Sequence, residues 1–298
     1  MKKYYFFILV VAFICSSCSN ELEEKSNLAE NDSKELILLK ENLGNFNKDY
    51  TPLNSNNSLG YNRAKKYSWL KRVLLTAVAD AGAYLAGGKV SDAVTASTLT
   101  WNMLKERNAE IEKANKDVEA DKQASACEFK DSPSVYLEKR ETIGDIHNFL
   151  SVKLIQEFGD TISEVSSEKL IKSIYKNIKD FNLAVNEDID IQKSIKNIDK
   201  ILNAFNPDLS VSENFNNLKN ITTDRVAKEM FDVCSIVVEG LENIPDTDTT
   251  YIKKVNATIE DSNLSDETKE NLLKSVSIAN SSALLWNTDA LLKTRNNE

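Results

Sequence analysis

The 298-residue chain holds one histidine, four cysteines, four prolines and eight glycines, and each scarcity excludes something. A single histidine, His147, rules out multi-histidine metal sites such as H-E-x-x-H, and no metal ligand set is expected. Few glycines and prolines leave little material for the turns of an all-β sandwich or barrel. Cationic excess is missing too: 37 Lys and Arg face 46 Asp and Glu, a formal charge of −9. Nucleic acid needs a positive footprint, so that partner is excluded, and an anionic membrane surface repels such a chain. No glycine-rich phosphate loop and no G-x-S-x-G occurs, and no cofactor is expected. No apolar run reaches the roughly 20 residues that a membrane-crossing helix requires.

What is present starts with Met1-Lys2-Lys3, an uncharged stretch from Tyr4 to Ile14, and Cys15-Ser16-Ser17-Cys18. A basic start, a short apolar stretch and a small-residue cleavage site make up a secretory signal, here residues 1–17. Ser16-Ser17-Cys18 resembles the lipobox of bacterial lipoproteins, which is cut before the cysteine. Bulky Phe13 and Ile14 make Cys15 the poorer candidate. The resemblance implies a Cys18 carrying diacylglycerol and an amide-linked acyl chain such as palmitate. At about 0.8 kcal/mol per buried CH₂, such an anchor is effectively permanent. Ser19 is not the aspartate associated with inner-membrane retention. Glu21, Glu23 and Glu24 resemble the acidic export tag of some surface lipoproteins, which implies the outer membrane and, beyond it, the cell surface. Loss of Lys2 and Lys3 with the signal leaves 35 basic and 46 acidic side chains, a charge of −11.

With Cys15 removed and Cys18 lipidated, only Cys127 and Cys234 remain. Outside the cytoplasm this pair could form one disulfide, closing a loop of about 100 residues worth up to about 4.7 kcal/mol. Against this, Cys234 shares a helix face with Val226, Met230, Val233, Val237 and Leu241, where a free buried thiol is ordinary.

Residues 18–63 read as a flexible tether, acidic at first and rich in turn formers over 45–63, with room for a short helix from Glu35 to Leu43. Some 45 flexible residues span about 35–40 Å on average. The folded domain is expected over 64–298. Helical periodicity dominates there: Lys65 to Leu85, Val90 to Asp121, Ile143 to Phe158, a helix capped by Ser167, and a stripe of Ile191, Ile195, Ile198, Leu202 and Phe205. Two more follow, opening at Thr223-Asp224 and at Ser265-Asp266-Glu267. No sustained period-two alternation occurs. The spacing predicts an all-α, single, bundle-like domain with an Ala/Gly-rich helical hairpin.

That hairpin, Val73–Met103, places Ala79, Ala83 and Gly87 four residues apart, which lets two helices approach closely. One reading is a membrane-inserting, toxin-like hairpin. Asp80, Lys89 and Asp92 interrupt it, at about 2.5–3.5 kcal/mol each at bilayer depth, and favour a packed soluble hairpin. His147, with Cys127 and Asn148 or Asp145, would be the core of a thiol hydrolase, but the local cysteine signatures are absent. The plainer reading is a histidine hydrogen-bonded at a helix start. Asp188/Asp190 and Asp246/Asp248 do not continue into calcium loops: Tyr251 and Ala257 stand where glycine and glutamate are required.

Three segments together resemble a group of secreted bacterial proteins. These are Ala79-Asp80-Ala81-Gly82-Ala83, Gly144-Asp145-Ile146-His147-Asn148, and Leu264-Ser265 through Lys269, Ala279, Ser282 and Trp286. The resemblance spans about residues 73–290 and implies one continuous helical domain; it implies no mechanism. Asp80, His147 and Asn148 are therefore the candidate site residues. The expected role is a binding or scaffolding module for a protein or glycan ligand, held to the membrane through Cys18. A membrane-active toxin and a His147 hydrolase are the alternatives.

Overall fold

The computed structural model describes residues 28–49, 63–114, 135–185, 190–241 and 249–295. They form an all-α domain, with no strand among them. The first helix, α1, covers residues 28–49. It is followed by α2 (Arg63–Gly87), α3 (Val90–Ala114), the single turn α4 (Val135–Glu138) and α5 (Ile143–Phe158). After a 3₁₀ stretch, Gly159–Glu164, come α6 (Ser167–Asp180), α7 (Ile191–Ala204) and α8 (Val211–Lys219). The last three are α9 (Arg225–Leu241), α10 (Thr250–Glu260) and α11 (Asp266–Arg295).

Local chemistry sets the helix ends. Thr142 and Asp145 form a capping box at the start of α5, and Ser210 and Glu213 form another at α8. Asp190 caps α7 by accepting from the Lys193 amide, which assigns one of the paired acids to the ordinary cap role. For α6 the cap is Ser166, one residue before the expected Ser167. Gly88 ends α2 in the left-handed region, with its amide bonded to the Tyr84 carbonyl at 2.6 Å.

Helix α2 is the axis of the domain and contacts α3, α7, α8, α9 and α11. Every residue from Arg72 to Tyr84 is buried, as is every residue from Lys89 to Thr98 in α3. A helix buried all round must satisfy its polar side chains internally. Thr76, Thr95 and Thr98 do so by donating to the carbonyl four residues back. The Ala/Gly-rich hairpin is thus the interior of the fold. No helix among the described residues is long and apolar enough to cross a membrane.

Helix α1 contains the short helix expected from Glu35 to Leu43, and its docking over residues 28–49 corrects the expectation of a flexible tether there. Leu36, Leu39 and Leu43 are fully buried in the cluster that also holds Val233, Val237, Tyr251 and Leu272. Their i, i+3, i+7 spacing is one helical face, short enough to be lost among the charged residues around it. Asp32 reaches the start of α11, where it accepts from the Ser265 amide at 2.7 Å and from the Thr268 hydroxyl. Farther along, Lys40 pairs with Asp232 at 3.1 Å, and Asn47 donates to the Ile236 carbonyl at 2.8 Å. The folded domain therefore begins before Arg63. The short helices α8 and α10 were not expected either. Each packs through a few apolar residues, Phe215 and Leu218 in the first, Tyr251, Val255 and Ile259 in the second.

Candidate functional site

Asp80 comes from α2, Ser97 from α3, His147 and Asn148 from α5, and Ser281, Ser282 and Trp286 from α11. The fold brings these together in one sealed polar cluster. Asp80 and His147 are both 0% exposed. The approach of α5 to α11 depends on Gly144, where a Cβ would lie 2.6 Å from the Ser277 carbonyl oxygen.

The hydrogen bonds fix the histidine tautomer. The Asn148 amide nitrogen donates to the Ser281 carbonyl at 2.8 Å, so Asn148 Oδ1 is the acceptor facing His147 Nδ1 at 3.0 Å. Nδ1 therefore carries the proton. The Nε2 lone pair faces Asp80 Oδ2 at 3.5 Å. Burial pushes the Asp80 carboxyl well above the usual carboxylate range, against the opposing pull of Ser282 and Ser97. Burial likewise lowers His147 to about 4, with Asn148 pulling the other way. Both shifts disfavour the charged forms, and the Asp80 carboxyl faces the Nε2 lone pair. The geometry is loose: both Asp80 oxygens, Nε2 and Ser282 Oγ lack a well-formed hydrogen bond. Ser97 is held from the other side by Trp286 Nε1, which donates to its hydroxyl at 2.9 Å. Trp286 stacks on Trp101 at 4.5 Å between centroids, and Arg72 stands 5.8 Å over Trp101.

Chemically, the cluster pairs an acid and a base whose charged forms burial disfavours, and gives solvent no access to either. Asp80, His147 and Asn148 meet as one unit, and Gly144, Ser282 and Trp286 of the resembling segments join them. Leu264-Ser265 and Lys269 serve a different purpose, at the start of α11: Ser265 receives Asp32, and Lys269 donates to the Glu260 carbonyl at 3.0 Å. Cys127 lies outside the described residues, as do Cys18, Asp188, Asp246 and Asp248. Cys234 is free and buried among the apolar residues of α9, where burial raises its thiol to about 12. Among the described residues no group of three or more His, Cys, Asp and Glu side chains could hold a metal.

A second buried carboxyl escaped the sequence reading. Asp92, in the first turn of α3, is 0% exposed and accepts from Asn197 Nδ2 of α7 at 3.3 Å. Gly87 makes room for it, because a Cβ there would stand 2.4 Å from the Asp92 carboxylate. Asp92 was visible in the sequence as an interruption of the hairpin, but its partner lies 105 residues away. The chain matches no protein-family model, no curated protein and no solved structure.

Proposed function

We propose that this chain is a lipid-anchored bacterial envelope protein whose helical domain works as a binding or scaffolding module. The observation that carries the non-catalytic part is the burial of the sole histidine, neutral and committed to Asn148 and Asp80 inside the α2–α5–α11 junction. A hydrolase built on His147 would need that junction to open before any substrate reached it. A membrane-inserting role for Val73–Met103 would require the central helix pair to leave the core, unpacking α7, α8, α9 and α11. Function is then carried by the exposed surface.

The anchoring part rests on the N-terminal signal pattern and Cys18, and the outer-membrane placement on the acidic residues after it. Docking of α1 changes the geometry of this reading. Only nine residues separate Cys18 from residue 28. Nine residues reach at most about 30–35 Å whatever their conformation, so the anchored domain works close to the bilayer. Protease shaving of intact cells, with a Cys18→Ala variant alongside, tests the proposal. The expected result is loss of the wild-type band while a periplasmic marker survives, and release of the variant from the membrane fraction. Full protection of a membrane-bound wild type would refute surface display, and an unchanged membrane fraction for Cys18→Ala would refute the anchor.

A further inference from the structure

Two cations stand over one pair of aromatic rings at the α5–α6 corner. Phe149 of α5 is buried, and Phe181, which ends α6, meets it edge-on at 5.0 Å between centroids. Arg140, just before α5, lies 4.9 Å from the Phe149 centroid and 5.7 Å from that of Phe181. Lys153 of α5 lies 5.6 Å and 4.7 Å from the same two rings.

Phe181 is 39% exposed, one of few large hydrophobic side chains so placed among the described residues. The backbone holds it there. Its amide bonds to the Asn177 carbonyl, Asn182 turns into the left-handed region at φ 47°, and the Leu183 amide returns to the Ile178 carbonyl at 3.0 Å. A cation over an exposed ring gains about 0.5–1 kcal/mol, enough to orient both side chains but not to neutralise either. Among the described residues, no carboxylate lies within ion-pair distance of Arg140 or Lys153.

We propose that Phe181, Arg140 and Lys153 form a recognition site for an acidic peptide segment of a partner protein. An exposed apolar ring with two cations over it calls for an apolar group accompanied by anions. In an extended peptide, residues two apart share a face about 6.6 Å from one another, so acid, apolar and acid at alternate positions present all three groups on one face. The inference rests on the binding-module reading and adds to it a place and a ligand class.

The test is fluorescence anisotropy of a labelled peptide with the core Glu-Ser-Leu-Ser-Glu, titrated with the full chain in detergent. Binding should weaken with salt. It should fall at least about tenfold in an Arg140→Gln/Lys153→Gln variant, the equivalent of one charge-assisted contact. Peptides with Gln for Glu, or with Ser for Leu, should bind comparably weakly. Arg140 is exposed and Lys153 half-buried, so an unchanged helical circular-dichroism spectrum with a cooperative unfolding transition certifies the fold. No binding of the acidic peptide, equal binding of the Gln peptide, or no loss in the double variant would each overturn the site. The Cys18→Ala chain should bind the peptide as wild type does, so failure of the anchor and failure of the site are separately visible.

Discussion

The Asp32 carboxylate on α1 accepts from the Ser265 amide at 2.7 Å and from the Ser265 hydroxyl at 2.5 Å, across 233 residues of sequence. The last helix is thus capped by the first. Asp32→Ala leaves a buried amide and two hydroxyls without their acceptor, and should cost about 2–3 kcal/mol, the range for hydrogen bonds to a charged group. Asp32→Asn keeps one acceptor and should cost less. Urea unfolding of the two variants checks the order; equal stability of Asp32→Ala and wild type would sink the cross-cap.

His147 and Asp80 should pull the pH profile of stability in opposite directions, each offsetting the other between about pH 4 and 6.5. Unfolded, His147 titrates near 6.5; folded, near 4. Between these values only the unfolded chain takes the proton, so stability drops as pH falls from about 6.5 through 4, by up to about 3 kcal/mol. Asp80 has the reverse sign. Its folded carboxyl keeps a proton well above 3.8, so unfolding releases that proton and stability falls as pH rises from there. Asp80→Asn presents an N–H to Nε2 without that cost, and should gain on wild type as pH rises above about 4. Denaturant titrations across this range decide it. A variant that loses ground as pH rises would show that the native carboxyl is ionised.

Glycine positions divide sharply. At Gly144 a Cβ would meet the Ser281 and Ser277 hydroxyls and the Ser277 carbonyl, and the last cannot swing aside. Gly144→Ala should therefore cost about 1–3 kcal/mol by overpacking α5 against α11. At Gly44, inside α1, nothing lies within 4 Å. Gly44→Ala should instead stabilise by about 0.5–1 kcal/mol through helix propensity. Thermal unfolding of the pair gives opposite shifts; shifts of the same sign would contradict the assigned contacts.

Cys234 should be inert in the folded chain. Its thiol is 1% exposed and raised to about 12, so almost no thiolate exists at pH 8. Peptide mapping after iodoacetamide treatment should find it modified only once denaturant is added. Rapid labelling under native conditions would show that α9 opens readily.

Periodicity exposed the helices whose apolar stripe is long. Helix α5 lies where the spacing places it, and Gly159 ends it. Two failures share one cause. The core face of α1 is only Leu36, Leu39 and Leu43, between charges that match a solvated linker, and nothing local reveals that α11 needs Asp32. Helix α10 buries three side chains in eleven residues and depends on Gly240, where a Cβ would collide with the Tyr251 ring. Asp80, His147 and Asn148 stood out in the sequence as polar residues in apolar settings. Ser97 did not, because a serine in a helix carries no mark of the tryptophan it will meet 189 positions later. Arg140 and Lys153 gave no signal either, since a surface cation looks the same whether or not an acid is near.

The junction of α2, α3, α5 and α11 also fixes how this chain can vary. Asp80 is tolerable in the interior only while His147 faces it, the His147 tautomer depends on Asn148, and Ser97 stands between Asp80 and Trp286. These positions are scattered over more than half of the sequence, yet they form a single unit of inheritance. In related chains they should be exchanged or lost together. A descendant keeping the acid without the imidazole would have repacked its centre, or would have opened it to solvent.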